Sequence, residues 1–273
     1  MSEVLLGGPA RANPYTPLDS LRALLAQRRS LRETAHRPWS LPAGRWLVGQ
    51  SWLDLLFAHW TVAHDDLRRL IPPELSLDTY DGHCWLGLVP FRMRTVRFID
   101  CPPVLGTSSF PEVNVRTYVV RDGRPGVFFL SLDAGNPIAV LLGRRLYDLP
   151  YLRAEVSMKT DAAGVAVSSK RLATVRPAAV FAASYRPAGQ PALAPPGSLE
   201  HWLTERYCFY TATAAHGIRR TEVHHLPWRL QPAALELEAN SLLAPFAITV
   251  DGAPLLHYSR AQHVVAWPPV RCA

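Results

Sequence analysis

The run Phe110-Pro-Glu-Val-Asn-Val-Arg-Thr-Tyr118 alternates polar or amphipathic residues with apolar ones. In a strand, that alternation puts Glu112, Asn114, Arg116 and Tyr118 on one side. If that side faces an interior, the carboxylate and guanidinium can pair, and the set could orient a small polar ligand. If it faces outward, the four form an ordinary solvated face. A second set lies along Leu199-Glu-His-Trp-Leu-Thr-Glu-Arg-Tyr-Cys-Phe-Tyr210. A helix from Ser198 to Tyr210 would bring Glu205 beside His201 and Trp202, and Arg206 beside Tyr210. There Arg206 could hold a carboxylate while Tyr207 or Tyr210 supplies a hydroxyl; the alternative is the wet side of an amphipathic helix. His225, beside Pro227-Trp228, and the triplet His257-Tyr258-Ser259 are candidates for buried hydrogen bonding or acid–base work.

Other chemistries lack their parts. The chain has no G-x-S-x-G elbow, Walker loop or G-x-G-x-x-G fingerprint, which removes the serine hydrolase, nucleotide hydrolase and Rossmann oxidoreductase readings. His59 and His64 are five positions apart and His224-His225 are adjacent, so neither pair offers two ligands on one helix face, and no metal is expected. The net charge of +7 invites a nucleic-acid reading, but the arginines are scattered and no groove-reading motif accompanies them. Only Lys159 and Lys170 supply side-chain amines. Cys84, Cys101, Cys208 and Cys272 form neither a C-x-x-C pair nor a disulfide framework, and no secretory signal or membrane-length apolar run is present. A cytoplasmic, soluble protein is expected.

The 273 residues, 48% hydrophobic, are enough for a sizeable core, and the 25 prolines argue against long helices. Strands are predicted at Val113 to Val120, Val127 to Leu132, Val165 to Ser169, Ala179 to Tyr185, Leu235 to Glu238, Phe246 to Val250 and His263 to Trp267. Asp122-Gly123 supplies the positive φ of a hairpin between the first two. Short helices are predicted at Asp65 to Leu70, Ile138 to Leu146 and from Ser198, which caps free amides. Residues 1–45 read as a helical arm, with Leu21, Leu24, Leu25 and Leu31 near helical spacing, and residues 46–273 as one main domain. Strands without regular helix alternation define a mainly β, α+β class: a curved antiparallel sheet or closed barrel with peripheral helices.

Several phrases occur together in order: Trp52-Leu-Asp-Leu-Leu-Phe-Ala-His-Trp60, Leu70-Ile-Pro-Pro, Trp85-Leu-Gly-Leu-Val-Pro-Phe91, Pro111 to Tyr118, Ser131-Leu-Asp133, Leu149-Pro-Tyr151, Pro196 to Tyr207, His225-Leu-Pro-Trp228 and His257-Tyr-Ser259. Over about Trp46 to Trp267 the chain resembles the YqjF-like family of uncharacterised proteins, grouped with acetoacetate decarboxylase-like folds. The resemblance implies an antiparallel β-barrel or cone around an interior pocket. Acetoacetate decarboxylase forms a Schiff base through a lysine just after a Gly-aromatic-Pro turn; the similar turn here is Asp148-Leu149-Pro150, followed by Tyr151. Tyrosine forms no imine and Arg153 stays protonated. Glu112 is similar in placement to the pocket glutamate of that superfamily.

The resulting expectation is a pocket for a small anionic or carbonyl-bearing ligand, without cofactor, nucleic acid or membrane; a homo-oligomer is left open. Glu112, Tyr151 and His257 would be catalytic, and Asn114, Arg116, Tyr118, Glu205, Arg206, Tyr207, His225 and Tyr258 would bind substrate. The chemistry would be lysine-independent proton transfer: enolisation, hydration or dehydration, or cyclisation, by a lyase or isomerase acting on a small oxo acid. The alternatives are a noncatalytic carrier or sensor, a Schiff-base decarboxylase with a displaced lysine, and a partner protein working through its arm.

Overall fold

The computed structural model describes residues 17–103, 108–172 and 178–272. In chain order the elements are α1 (Pro17–Ser30), β1 (Val48–Val62), α2 (His64–Arg68), β2 (Ser76–Leu77), β3 (Cys84–Phe98), β4 (Phe110–Arg121), β5 (Arg124–Ala134), α3 (Pro137–Tyr147), β6 (Tyr151–Thr160), β7 (Val165–Arg171), β8 (Val180–Pro187), β9 (Ala192–Leu193), α4 (Leu199–Thr204), β10 (Cys208–Thr213), β11 (Gly217–His224), β12 (Arg229–Asn240), β13 (Leu255–Ala266) and β14 (Val270–Arg271). A 3₁₀ turn, Ala244–Phe246, precedes β13.

Fourteen strands form one sheet that closes on itself, because β4 pairs with both β3 and β5. One circuit runs β4, β5, β6, β7, β8, β12, β13, β1, β3; a shorter one crosses from β5 through β10 and β11 to β13. The two share the wall β13-β1-β3-β4-β5. Pairing is antiparallel except at two joints, β5 with β6 and β5 with β10. Pro137 and Asn136 start α3 between β5 and β6: Asn136 Oδ1 accepts the amides of Ile138 and Ala139, each at 3.1 Å. The β4–β5 hairpin turns on Asp122 and Gly123, with φ of 50° and 68°.

The shared wall is buried on both faces. Val113, Val115 and Val119 of β4 point into the largest apolar core, with Leu56, Leu86 and Phe181. The opposite face carries Glu112, Asn114, Arg116 and Tyr118, all at most 9% exposed. On that face Leu55, Phe57, Val89, Phe91 and Leu132 make a second core.

Two sequence expectations need correction. The helix from Ser198 ends at Thr204, although Ser198 does cap it. The aromatic and β-branched run that follows becomes β10, paired with β11 and β5, so Arg206 and Tyr210 are not one helical turn apart. The Phe246 to Val250 run is no strand, since Pro245 and the left-handed Ala247 (φ 49°) hold it as a turn. In α1, Leu21 and Leu25 face outward, at 52% and 54% exposure, Leu24 is half-buried, and Ala23, Gln27 and Ser30 form the buried edge. Residues 1–16 of the expected arm lie outside the described residues. What is described of that arm is docked: Arg97 donates to Gln27 Oε1 at 2.6 Å, and His224 Nε2 meets the Ser30 carbonyl at 2.8 Å.

Candidate functional site

Because β4 is flanked by β3 and β5, its inward row sits in the middle of a wall, buried from bulk solvent. Glu112 is 2% exposed. Tyr151, the first residue of β6, donates its hydroxyl to Glu112 Oε2 at 2.6 Å, and Asn114 Nδ2 lies 3.5 Å from Oε1. Burial pushes the Glu112 carboxyl up to about 7, against the two hydrogen bonds, which favour the ionised form; nearby Asp133 adds to the rise. The Tyr151 phenol is driven well above its ordinary value by burial and then by Glu112, so it stays a hydrogen-bond donor. Its ring is seated by Gly143 of α3, where a Cβ would stand 2.4 Å from the Tyr151 ring.

Two residues along from Asn114, the Arg116 guanidinium lies over the Phe57 ring, 5.2 Å from its centre. Its hydrogen-bond partner is the Tyr118 hydroxyl at 3.5 Å, its Nε is unpartnered, and no carboxylate of the described residues lies within ion-pair distance of it. A buried cation without a counter-ion is costly. Gly87 on the facing strand makes room, since a Cβ there would stand 3.0 Å from the His59 ring and 3.4 Å from Arg116 Cγ. His59 Nε2 meets the Tyr118 hydroxyl at 2.6 Å and its Nδ1 has no partner. His257 sits beside Phe57 in the β1–β13 register, its Nδ1 likewise unpartnered. Burial depresses both imidazoles; Arg116 and then His257 lower His59 further, whereas Glu200 works against the fall at His257. Both are neutral at pH 7, each with one donor and one acceptor nitrogen.

The inward face therefore unites Glu112, Asn114, Arg116, Tyr118, Tyr151 and His257. It does not gather the remaining expected residues, which are engaged with other protein groups, although Arg206 Nη2 has no hydrogen-bond partner. Arg206 pairs with Asp78 at 2.5 Å, donates Nε to the Trp202 carbonyl and lies 4.9 Å from the Tyr118 ring centre, closing the far end of the row as a neutralised pair. Glu205 accepts the Trp228 amide at 2.8 Å and the Tyr207 hydroxyl. Tyr207 stacks on His225, whose two ring nitrogens face the carbonyls of Leu226 and Arg206. Tyr258 lies on the opposite face of β13 and donates to Asp54 Oδ1 at 2.8 Å. His59 is the residue missed by weighing it only for metal spacing: in Leu55, Phe57, His59 the period of two already puts it on the inward face of β1. Lys159 and Lys170 are both exposed, on β6 and β7.

An apolar cavity of about 440 Å³ lies between α3 and β3 and meets the site at Tyr151 rather than at the β4 row. Met93, Phe110, Leu142, Gly143 and Leu149 line it, together with Tyr151. Among the described residues no three His, Cys, Asp or Glu side chains converge as a metal site would require, and no helix is long and apolar enough to cross a membrane.

The closed, helix-decorated sheet has the acetoacetate decarboxylase-like fold. It matches acetoacetate decarboxylase from Legionella pneumophila with a TM-score of 0.56 over 86% of this chain and 93% of that one, at 16% identity. The enduracididine biosynthesis enzyme MppR, in a structure complexed with pyruvate, matches with a TM-score of 0.57 over 86% and 92%, at 12% identity. Residues 49–263 match the model of DUF2071, described as an uncharacterized conserved protein, and the chain belongs to that family. The uncharacterized protein YqjF of Bacillus subtilis is 41% identical over 230 residues, 84% of this chain and 94% of its own length.

Proposed function

We propose that this inward row lines a chamber that binds a small carboxylate carrying a carbonyl group and moves a proton on it without forming an imine. The observation that carries this reading is the buried row itself: a carboxyl held by Tyr151 at one end, and a guanidinium with no protein counter-ion four residues away. Arg116 holds the ligand carboxylate, supplying the missing ion pair. Glu112, ionised, takes a proton from the carbon beside the carbonyl; the electron pair moves onto the carbonyl oxygen, and an N–H of His59, His257 or Asn114 stabilises the enolate. Return of the proton to carbon or oxygen regenerates Glu112. A carboxyl near 7 can do both steps at neutral pH. Tyr151 orients the carboxylate, and the apolar cavity accommodates the rest of the ligand. The exposed positions of Lys159 and Lys170 count against the Schiff-base alternative. We place the protein in the cytoplasm.

The test is loss of the α-proton signals of a series of small 2-oxo acids in deuterated water, followed by proton NMR. Wild-type protein and a Lys159→Arg/Lys170→Arg variant exchange at the same rate, and Glu112→Gln does not exchange. A lysine-dependent rate, or a borohydride-trapped lysine adduct, would overturn the reading. Enclosure of Glu112 and Arg116 favours a second reading, a noncatalytic carrier or sensor. Native mass spectrometry that finds a co-purified ligand, with no exchange in any oxo acid, would select it.

A further inference from the structure

A second cluster of charge lies outside the chamber. Glu222 of β11 is 5% exposed and receives three guanidinium groups. Arg37 reaches Oε2 at 3.1 Å, where Trp39 Nε1 also donates at 2.7 Å. Arg124 and Arg220 both reach Oε1, at 2.9 and 3.1 Å. Arg37 and Trp39 already hold the carboxylate and fasten the arm; Arg124 and Arg220 bring two further positive charges. No second carboxylate of the described residues pairs with either one. Each uses one nitrogen on Glu222, which leaves several N–H donors on both forks.

Those two arginines line a cavity of about 840 Å³. Its walls include Trp39 and Trp267, and Arg45 on its rim is neutralised by Asp100. The Arg124 fork is held in place over the Trp39 ring, 5.4 Å from its centre, with Arg37 5.8 Å from the same ring. Two positioned forks with a surplus of two charges, open to solvent beside indole walls, match a tetrahedral dianion better than a single carboxylate. We propose that this groove is a binding site for a small phosphate-type dianion, separate from the chamber.

The experiment is isothermal titration with inorganic phosphate, and in parallel with phenyl phosphate, at 0.15 M chloride, with tryptophan fluorescence as a second signal. The site predicts a dissociation constant below about 1 mM, loss of at least about tenfold in Arg124→Gln and in Arg220→Gln, and tightening in Glu222→Gln, where the competing carboxylate is gone. Tighter phenyl phosphate would assign a phosphate ester lying on the indoles; equal affinities would assign the free ion. Absence of binding at 10-fold higher concentration, or unchanged affinity in both arginine variants, would overturn the proposal. Should Arg220→Gln fail to fold, Arg124→Gln decides alone, its side chain being 38% exposed.

Discussion

Glu112→Gln should change how stability depends on pH. Burial raises the carboxyl from 4.5 to about 7 in the folded chain. Between those limits the folded state keeps a proton that the unfolded state has released, so stability falls as pH rises. The contribution is fully present below about pH 4.5 and lost once pH passes about 7. The gap corresponds to about 3 kcal/mol at about 1.4 kcal/mol per pH unit. Gln has the shape of the neutral carboxyl; its oxygen can accept from Tyr151 and its amide can donate to Asn114 Oδ1, which is unpartnered. Urea unfolding of both proteins at half-unit steps from pH 4.5 to 8.5 gives the difference curve, in which contributions from all other groups cancel. The variant should gain about 3 kcal/mol on wild type across that window. A difference curve flat to within about 0.5 kcal/mol, small beside the predicted change, would refute the burial argument.

Other perturbations test other parts of the chamber. Arg116→Met removes an uncompensated buried charge and should raise unfolding free energy by about 1–3 kcal/mol while abolishing stabilisation by carboxylate ligands, both read from urea and thermal melts. Asp78→Asn leaves Arg206 without its ion-pair partner and should cost about 3 kcal/mol, measured by urea unfolding. Gly143→Ala favours the helix by about 1 kcal/mol, yet its Cβ meets the Tyr151 ring at 2.4 Å; net destabilisation, together with a change in near-ultraviolet tyrosine signals, is the expected outcome.

Much of this was legible in residue order, and the limits have physical causes. The alternation from Glu112 to Tyr118 fixed which residues share a face, but period two says nothing about which face is buried, and in β4 both are. The Asp122-Gly123 hairpin is a local signal and was readable, as was a helix from Ile138, whereas its Asn136 cap emerged only from the structure. Ser198 was readable as a cap for the same reason, whereas the end of its helix was not, because β10 exists through pairing with distant strands. Arg206 resembled a ligand clamp until Asp78, 128 residues away in sequence, appeared beside it. Tyr151 illustrates the reverse: its position after the Leu149-Pro150 turn marked it through a family resemblance, while only the closed sheet brings its hydroxyl to Glu112.

Carbon-13 NMR of the protein labelled at glutamate Cδ, with the Glu112 resonance assigned by its disappearance in Glu112→Gln, measures the proton affinity of the chamber carboxyl directly. A titration midpoint near 7 is expected. A midpoint at the ordinary carboxylate value, about 4.3, would mean that water reaches Glu112 and that the chamber is not the enclosed acid–base site described above.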